Sequence, residues 1–250
     1  MPPGSLGIQD RLSLGIQRGV GWISSPAWAL AVAGMQSLVM SWTIEDAEAA
    51  RAEYRRIRSK GGPLLICANH LTMVDSAIIA WALGSPASYV CDYAALPWNL
   101  PESRNFAATP LNHVLVYLMK CIPITRGSSR EEVGRALAKI VWLLQNGETA
   151  LVFPEGGRSR TGRVDVTAAT YGAGRIVNAI GACRVLCVYL RGRGQETWGD
   201  VPARGESFRV LLDCFEPKSQ QKGLRASIDV SRQILERLAA LETRYFDGRE

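Results

Sequence analysis

A short, almost wholly apolar run, Pro63-Leu64-Leu65-Ile66-Cys67-Ala68, starts at a Gly-Gly-Pro break and stops abruptly at Asn69-His70-Leu71-Thr72-Met73-Val74-Asp75. The run reads as a buried strand and the polar cluster as its end. Asp75 opens a second apolar run, Ser76 to Leu83, which is rich in Ala and Ile and ends at Gly84-Ser85-Pro86. This predicts a helix with Asp75 in its first turn. On one continuous helix, His70 and Asp75 would lie about 140° apart. Across a strand-to-helix turn, the carboxylate instead reaches back to one imidazole nitrogen and leaves the other free as a base. The motif holds no Ser or Cys nucleophile, so such a base would act on a hydroxyl of the substrate. The plainer reading is a histidine that ends a strand and caps a helix with its neighbour.

A second chemistry-bearing stretch follows another strand. Thr149 to Phe153 runs into Pro154-Glu155-Gly156-Gly157-Arg158-Ser159-Arg160-Thr161-Gly162-Arg163. Glycines let the backbone turn tightly and expose its N–H groups, and three arginines with two hydroxyls complete an anion cradle by composition. Glu155 is the only acid there, placed to bond an acceptor hydroxyl or to orient an arginine. Upstream, Cys121 to Gly127 reads as a short strand whose terminal Arg126 would meet a phosphate in a bidentate fork. Ser128-Ser129 then start a helix that turns Val133, Leu137, Ile140, Val141 and Leu144 inward and stops at Asn146-Gly147. Strand, crossover helix and strand in sequence predict an α/β domain with a mixed, mostly parallel sheet covered by helices. Ligands of open α/β sheets gather at the carboxyl ends of strands, where His70, Arg126 and the 154–163 loop all fall. Later strands are expected at Val185–Leu190 and Phe208–Phe215, and a closing amphipathic helix at Ala226–Tyr245. His113 has no carboxylate at a useful spacing and reads as a packed or surface histidine.

The net charge of +6, largely from arginine, favours phosphates, acidic lipid surfaces or nucleic acid as partners. The arginines lie at strand ends beside Gly and Glu rather than interleaved with aromatics, which argues against nucleic acid. The six cysteines form no Cys-x-x-Cys pair, and several sit in apolar runs, so neither a metal site nor a disulfide framework is expected. From Gly19 to Ile44 there are 26 residues without a charge. Ser25-Pro26 interrupts them as a helix-start signal, which predicts one helix before Ser24 and another from Pro26 to about Trp42. Ile8, Leu12, Ile16, Val20 and Ile23 give the first helix an apolar face. Residues 1–44 are therefore expected to form a membrane-associating hairpin lying in one leaflet, in preference to a single span, with a buried core hairpin as the alternative.

The segments NHLTMVD, IPITR and FPEGGRS, in this order and spacing, resemble the glycerolipid acyltransferases, the group containing glycerol-3-phosphate and lysophosphatidate acyltransferases. The resemblance covers about residues 60 to 190. It implies that His70 is the general base and Asp75 its acidic partner. It also implies that Arg126, Glu155, Gly156 and Arg158 bind the phosphorylated acceptor, with Asn69 and Gly157 counted in the same set. Gly157 stands where threonine is common in the family, and GGRSRTGR looks closer to the glycerol-3-phosphate branch. The strand Val185–Leu190 lacks the proline of the family's fourth motif. The expectation is an O-acyltransferase domain at 45–250. It would move a fatty acyl group from acyl-CoA or acyl carrier protein to lysophosphatidate or a related glycerolipid, with no cofactor beyond that cosubstrate. Glycerol 3-phosphate or a lysolipid without phosphate is the alternative acceptor, and a catalytically silent lipid-binding module or a hydrolase the alternative role. Thioester supply and arginine-rich flanks place the protein at the cytoplasmic face of the inner membrane.

Overall fold

All five residues of β2 (Leu64–Ala68) are buried, and the strand lies inside a six-stranded sheet of order β1-β6-β5-β2-β4-β3. The computed structural model describes residues 6–102, 110–125 and 127–248. Its other strands are β1 (Thr43–Ile44), β3 (Trp98–Asn99), β4 (Thr149–Val152), β5 (Arg184–Gly192) and β6 (Ser207–Phe215). Neighbouring strands run parallel except β5 and β6, so the sheet is mixed and mostly parallel, as the chain's pattern predicts. Because β2, β4 and β5 are adjacent and parallel, the segments that follow them emerge at one edge.

Successive strand residues face opposite sides of a sheet. Leu65, Cys67, Val185 and Cys187 pack under α6 (Arg130–Gln145), α7 (Tyr171–Ile180) and α8 (Gly223–Asp247). Leu64, Ile66, Leu186 and Val188 pack under α1 (Ile8–Gly34), α2 (Ala47–Ser59) and α3 (Asp75–Leu83). Cover on both faces explains why β2 and β5 read as continuous apolar runs rather than as alternating ones. Two further helices, α4 (Pro86–Cys91) and α5 (Pro110–Leu118), lie on the α1 side. The start of α6 carries a full capping box between Ser129 and Glu132. The strand expected at 121–127 is reduced to isolated bridges, Asn99 with Cys121 and Glu102 with Ile124.

The N-terminal segment differs from the expected two-helix hairpin. α1 passes straight through Pro26 and ends in a π-helical turn, Met35–Val39. A proline leaves the carbonyl four residues earlier without its donor. Here that carbonyl, on Trp22, accepts from the Ser25 hydroxyl at 2.7 Å, while the Trp28 indole donates to the Gly21 carbonyl at 3.0 Å. The Ser-Ser-Pro triplet imitates a helix start, but its hydroxyl repairs a helix interior. The uncharged run then leaves the helix, and Thr43 and Ile44 join the sheet beside β6. Among the described residues, no helix is long and apolar enough to cross a membrane.

α1 turns its polar stripe inward. Asp10 bonds Arg135, Gln17 donates to the Tyr117 and Cys121 carbonyls, and a side chain at Gly21 would strike the Tyr93 hydroxyl and the Leu118 carbonyl. Beneath it lies a buried polar knot. Lys120, in the left-handed region at φ 55°, donates to the Tyr93 and Leu96 carbonyls at 2.9 and 2.8 Å and to Glu148. Glu148 also accepts from the Trp98 indole and from Arg18 of α1. Burial lowers the Lys120 pKa to about 8.

Candidate active site

His70 lies two residues beyond β2, and Asp75 is the first residue of α3. The intervening turn brings Asp75 Oδ2 to 3.0 Å from His70 Nδ1. The same oxygen accepts the Leu71 and Thr72 backbone N–H groups at 2.6 and 2.8 Å, and Oδ1 accepts the Thr72 hydroxyl. The carboxylate sits buried at the N-terminus of α3, ringed by donors of the turn. A carboxylate only accepts, so His70 Nδ1 is the donor in this contact and Nε2 lies outside it. The ring stacks on Phe153, with centroids 4.0 Å apart and planes 14° off parallel. Phe153 ends the apolar run of β4. It heads the FPEGGRS segment, where its apolar side chain reads only as the end of the strand; its place at the start of the second chemistry-bearing loop is a signal that could have found it.

Asn69 is buried, and its amide is committed at both ends. Oδ1 accepts the Leu190 N–H at 2.8 Å, and Nδ2 donates to the Leu190 carbonyl at 3.0 Å, extending the β2–β5 ladder by one side chain. The 154–163 loop is joined to the histidine through backbone, as the Ser159 N–H donates to the His70 carbonyl at 2.8 Å. Gly156 has φ +71°, and a Cβ there would lie 2.8 Å from the Thr170 methyl, so the turn requires glycine. Glu155 Oε2 accepts the Ser159 hydroxyl at 2.6 Å, while Oε1 is buried without a hydrogen-bond partner among the described residues. Burial raises its pKa from 4.5 to about 7. Among the described residues its side-chain hydrogen bond goes to Ser159 rather than to an arginine. Gly157 follows in the same turn. Arg126 lies outside the described residues.

Arg158 Nη1 donates to the Gly199 carbonyl at 2.7 Å and to Asp200 Oδ1 at 2.6 Å. These partners belong to the segment after β5, residues 193–206, a strap that none of the sequence motifs contains. The strap is sewn to the His70 turn, with Gly199 N–H donating to the Leu71 carbonyl and Met73 N–H to the Asp200 carbonyl, both at 3.0 Å. Buried Arg191 fastens its root by donating to the Gln195, Glu196 and Gly162 carbonyls at 2.8, 2.6 and 2.6 Å. The signal in the sequence is an aromatic set beside glycine, Thr197-Trp198-Gly199-Asp200, beyond a third parallel strand. The three loops that follow β2, β4 and β5 therefore meet around His70, as the carboxyl-end rule for open sheets requires.

A covered, mostly parallel sheet with a His-Asp pair at its carboxyl edge, beside an arginine-bearing loop, describes an α/β protein with a carboxylate-oriented histidine. No Ser or Cys side chain is hydrogen-bonded to that histidine among the described residues. The model of the acyltransferase family matches residues 43–191, more than half of the chain and all of β1 to β4, and the chain belongs to that family, the glycerolipid acyltransferases. Acyl transfer in this family joins an acyl donor to a lipid acceptor. No curated protein matches the chain.

Proposed function

We propose that the protein transfers a fatty acyl group from a thioester, acyl-CoA or acyl carrier protein, to a hydroxyl of lysophosphatidate or a related glycerolipid in phospholipid biosynthesis. The observation that carries this reading is the His70–Asp75 contact, locked by two backbone N–H groups on the same carboxylate oxygen. His70 Nε2 removes the acceptor's hydroxyl proton as that oxygen attacks the thioester carbonyl. Asp75 steadies the imidazolium. The tetrahedral intermediate collapses with loss of the thiolate, which takes the proton from His70. Arg158, whose Nε and Nη2 have no hydrogen bond among the described residues, binds the acceptor phosphate, and the Gly156-Gly157 turn lets the substrate approach the backbone. Asn69 acts on His70 by fixing the ends of β2 and β5.

The outward face of α1 supports a lipid surface as the place of action. Ile8, Leu12, Ile16, Ile23 and Leu30 are all exposed on it, with Val114 and Tyr117 of α5 alongside. A helix with its polar stripe inside and its apolar stripe outside suits residues 1–44 to rest in one leaflet, on the cytoplasmic side where thioesters are supplied.

The reaction is tested by following free-thiol release from long-chain acyl-CoA and acyl carrier protein, with lysophosphatidate, glycerol 3-phosphate or monoacylglycerol added separately, and by identifying the lipid product. Release that depends on lysophosphatidate and yields phosphatidate is the expected result. Release without any acceptor would make the protein a hydrolase, and none with any pair would make it a silent lipid-binding module.

A further inference from the structure

Two arginines of the 154–163 loop share one aromatic ring. The Arg158 and Arg160 guanidinium carbons lie over Trp198 at 5.0 and 4.2 Å from the ring centroid. Both cations are thereby gathered beside the His70 turn, although Arg160 is exposed and would otherwise be unconstrained. Stacking uses the π face of a guanidinium and leaves its edge donors for a planar or tetrahedral anion. On Arg158 only Nη1 is hydrogen-bonded among the described residues, to Gly199 and Asp200, so Nε and Nη2 remain for a ligand. Like charges crowded on one ring repel, and the single carboxylate of Asp200 offsets one of them. A doubly charged anion would offset both.

We propose that Trp198 is a positioning residue for the acceptor phosphate, holding Arg158 and Arg160 so that their edges meet one phosphoryl group together. This rests on the acyl-transfer reading above and deepens it to a preference for a phosphate monoester over an uncharged acceptor. The family match ends at residue 191, so the strap that carries Trp198 lies outside it. The position of the strap does not depend on the indole, because backbone bonds from Gly199 and Asp200 to the His70 turn, and those from Arg191, hold it independently. Removing the ring therefore frees Arg160 and leaves Arg158 held only by Gly199 and Asp200, without moving the loop.

The test measures binding of lysophosphatidate and of monoacylglycerol to the full chain in mixed micelles, together with the KM values of acceptor and thioester. Trp198→Ala is expected to weaken lysophosphatidate by about 5- to 30-fold, the range that one or two lost cation–ring contacts allow. Monoacylglycerol binding and the thioester KM should stay as in the wild type. Trp198→Phe should restore most of the loss, and Arg160→Gln should reproduce it. Unchanged lysophosphatidate binding in Trp198→Ala and Arg160→Gln, or an equal loss for both lipids, overturns the proposal. A wild-type protein that does not distinguish the two lipids instead refutes the phosphate-acceptor reading itself. Should Trp198→Ala not fold, Arg160→Gln decides alone: a loss confined to lysophosphatidate supports the proposal, and unchanged binding overturns it.

Discussion

One carboxylate oxygen, Asp75 Oδ2, receives the His70 Nδ1 proton and two backbone N–H groups, so orientation of the base and closure of the turn are a single interaction. His70→Ala should lower kcat by about 10² to 10⁴-fold while leaving the melting temperature near that of the wild type. Normal single-turnover rates in that variant would remove His70 from the chemistry. Asp75→Asn should lose activity and, in addition, about 1–3 kcal/mol of stability, because buried N–H donors lose a charged acceptor. Glu155 titrates differently. Its folded pKa of about 7 lies above the ordinary 4.5, so between those values the folded chain holds a proton that the unfolded chain has lost. Stability therefore falls as pH rises from about 4.5 to 7 and levels off above that. In urea denaturation at closely spaced pH values, Glu155→Gln should flatten this slope, and an unaltered profile would show that Glu155 is not its source.

α1 is amphipathic in the reverse sense of an ordinary surface helix. Its inward stripe carries Asp10, Gln17, Gly21 and Ser25, each with a polar or close-contact partner, and its outward stripe is apolar. Ile23 and Leu30 are 76% and 65% exposed, so replacing them with aspartate removes apolar surface without opening the core. The double variant Ile23→Asp, Leu30→Asp should melt like the wild type and fail to float with anionic lipid vesicles. Flotation at wild-type levels would rule out this face as the lipid contact. The exposed position of both residues makes a stability change smaller than about 0.5 kcal/mol the expected background.

The sheet gathers the His70 turn and the two loops beside it at one edge and ties the α1 side to its core through the knot around Lys120. Arg18 on α1, Trp98 on β3 and Glu148 just before β4 all converge there, so the helix and the strands share one buried charge network. Removing one partner strands the other. Lys120→Met should cost about 3 kcal/mol in urea denaturation, at the low end for a broken buried pair because Glu148 keeps Arg18 and Trp98. Lys120→Met combined with Glu148→Gln should cost clearly less than the sum of the single changes. Additive losses would mean that the two side chains are not coupled.

The strand-to-helix turn at 69–75, the glycine-bearing loop at 154–163 and the parallel character of the sheet were legible in the sequence. Each depends on local chemistry: an apolar run that must be covered, a glycine with positive φ, and an acid at a helix start. The sequence could not tell Ser25-Pro26 at a helix start from Ser25-Pro26 inside a helix. The difference lies in the hydroxyl bond to Trp22 and in what Tyr93 and Leu118 press against Gly21. Nor could it reveal that Asn69 is bonded at both ends to Leu190, 121 positions away, or that Arg158 is held by Asp200 across 42. Residue types and short spacings determined which groups are present and on which element they sit. Partners distant in sequence decided which of those groups are free to meet a substrate, because that depends on which strands the sheet makes neighbours.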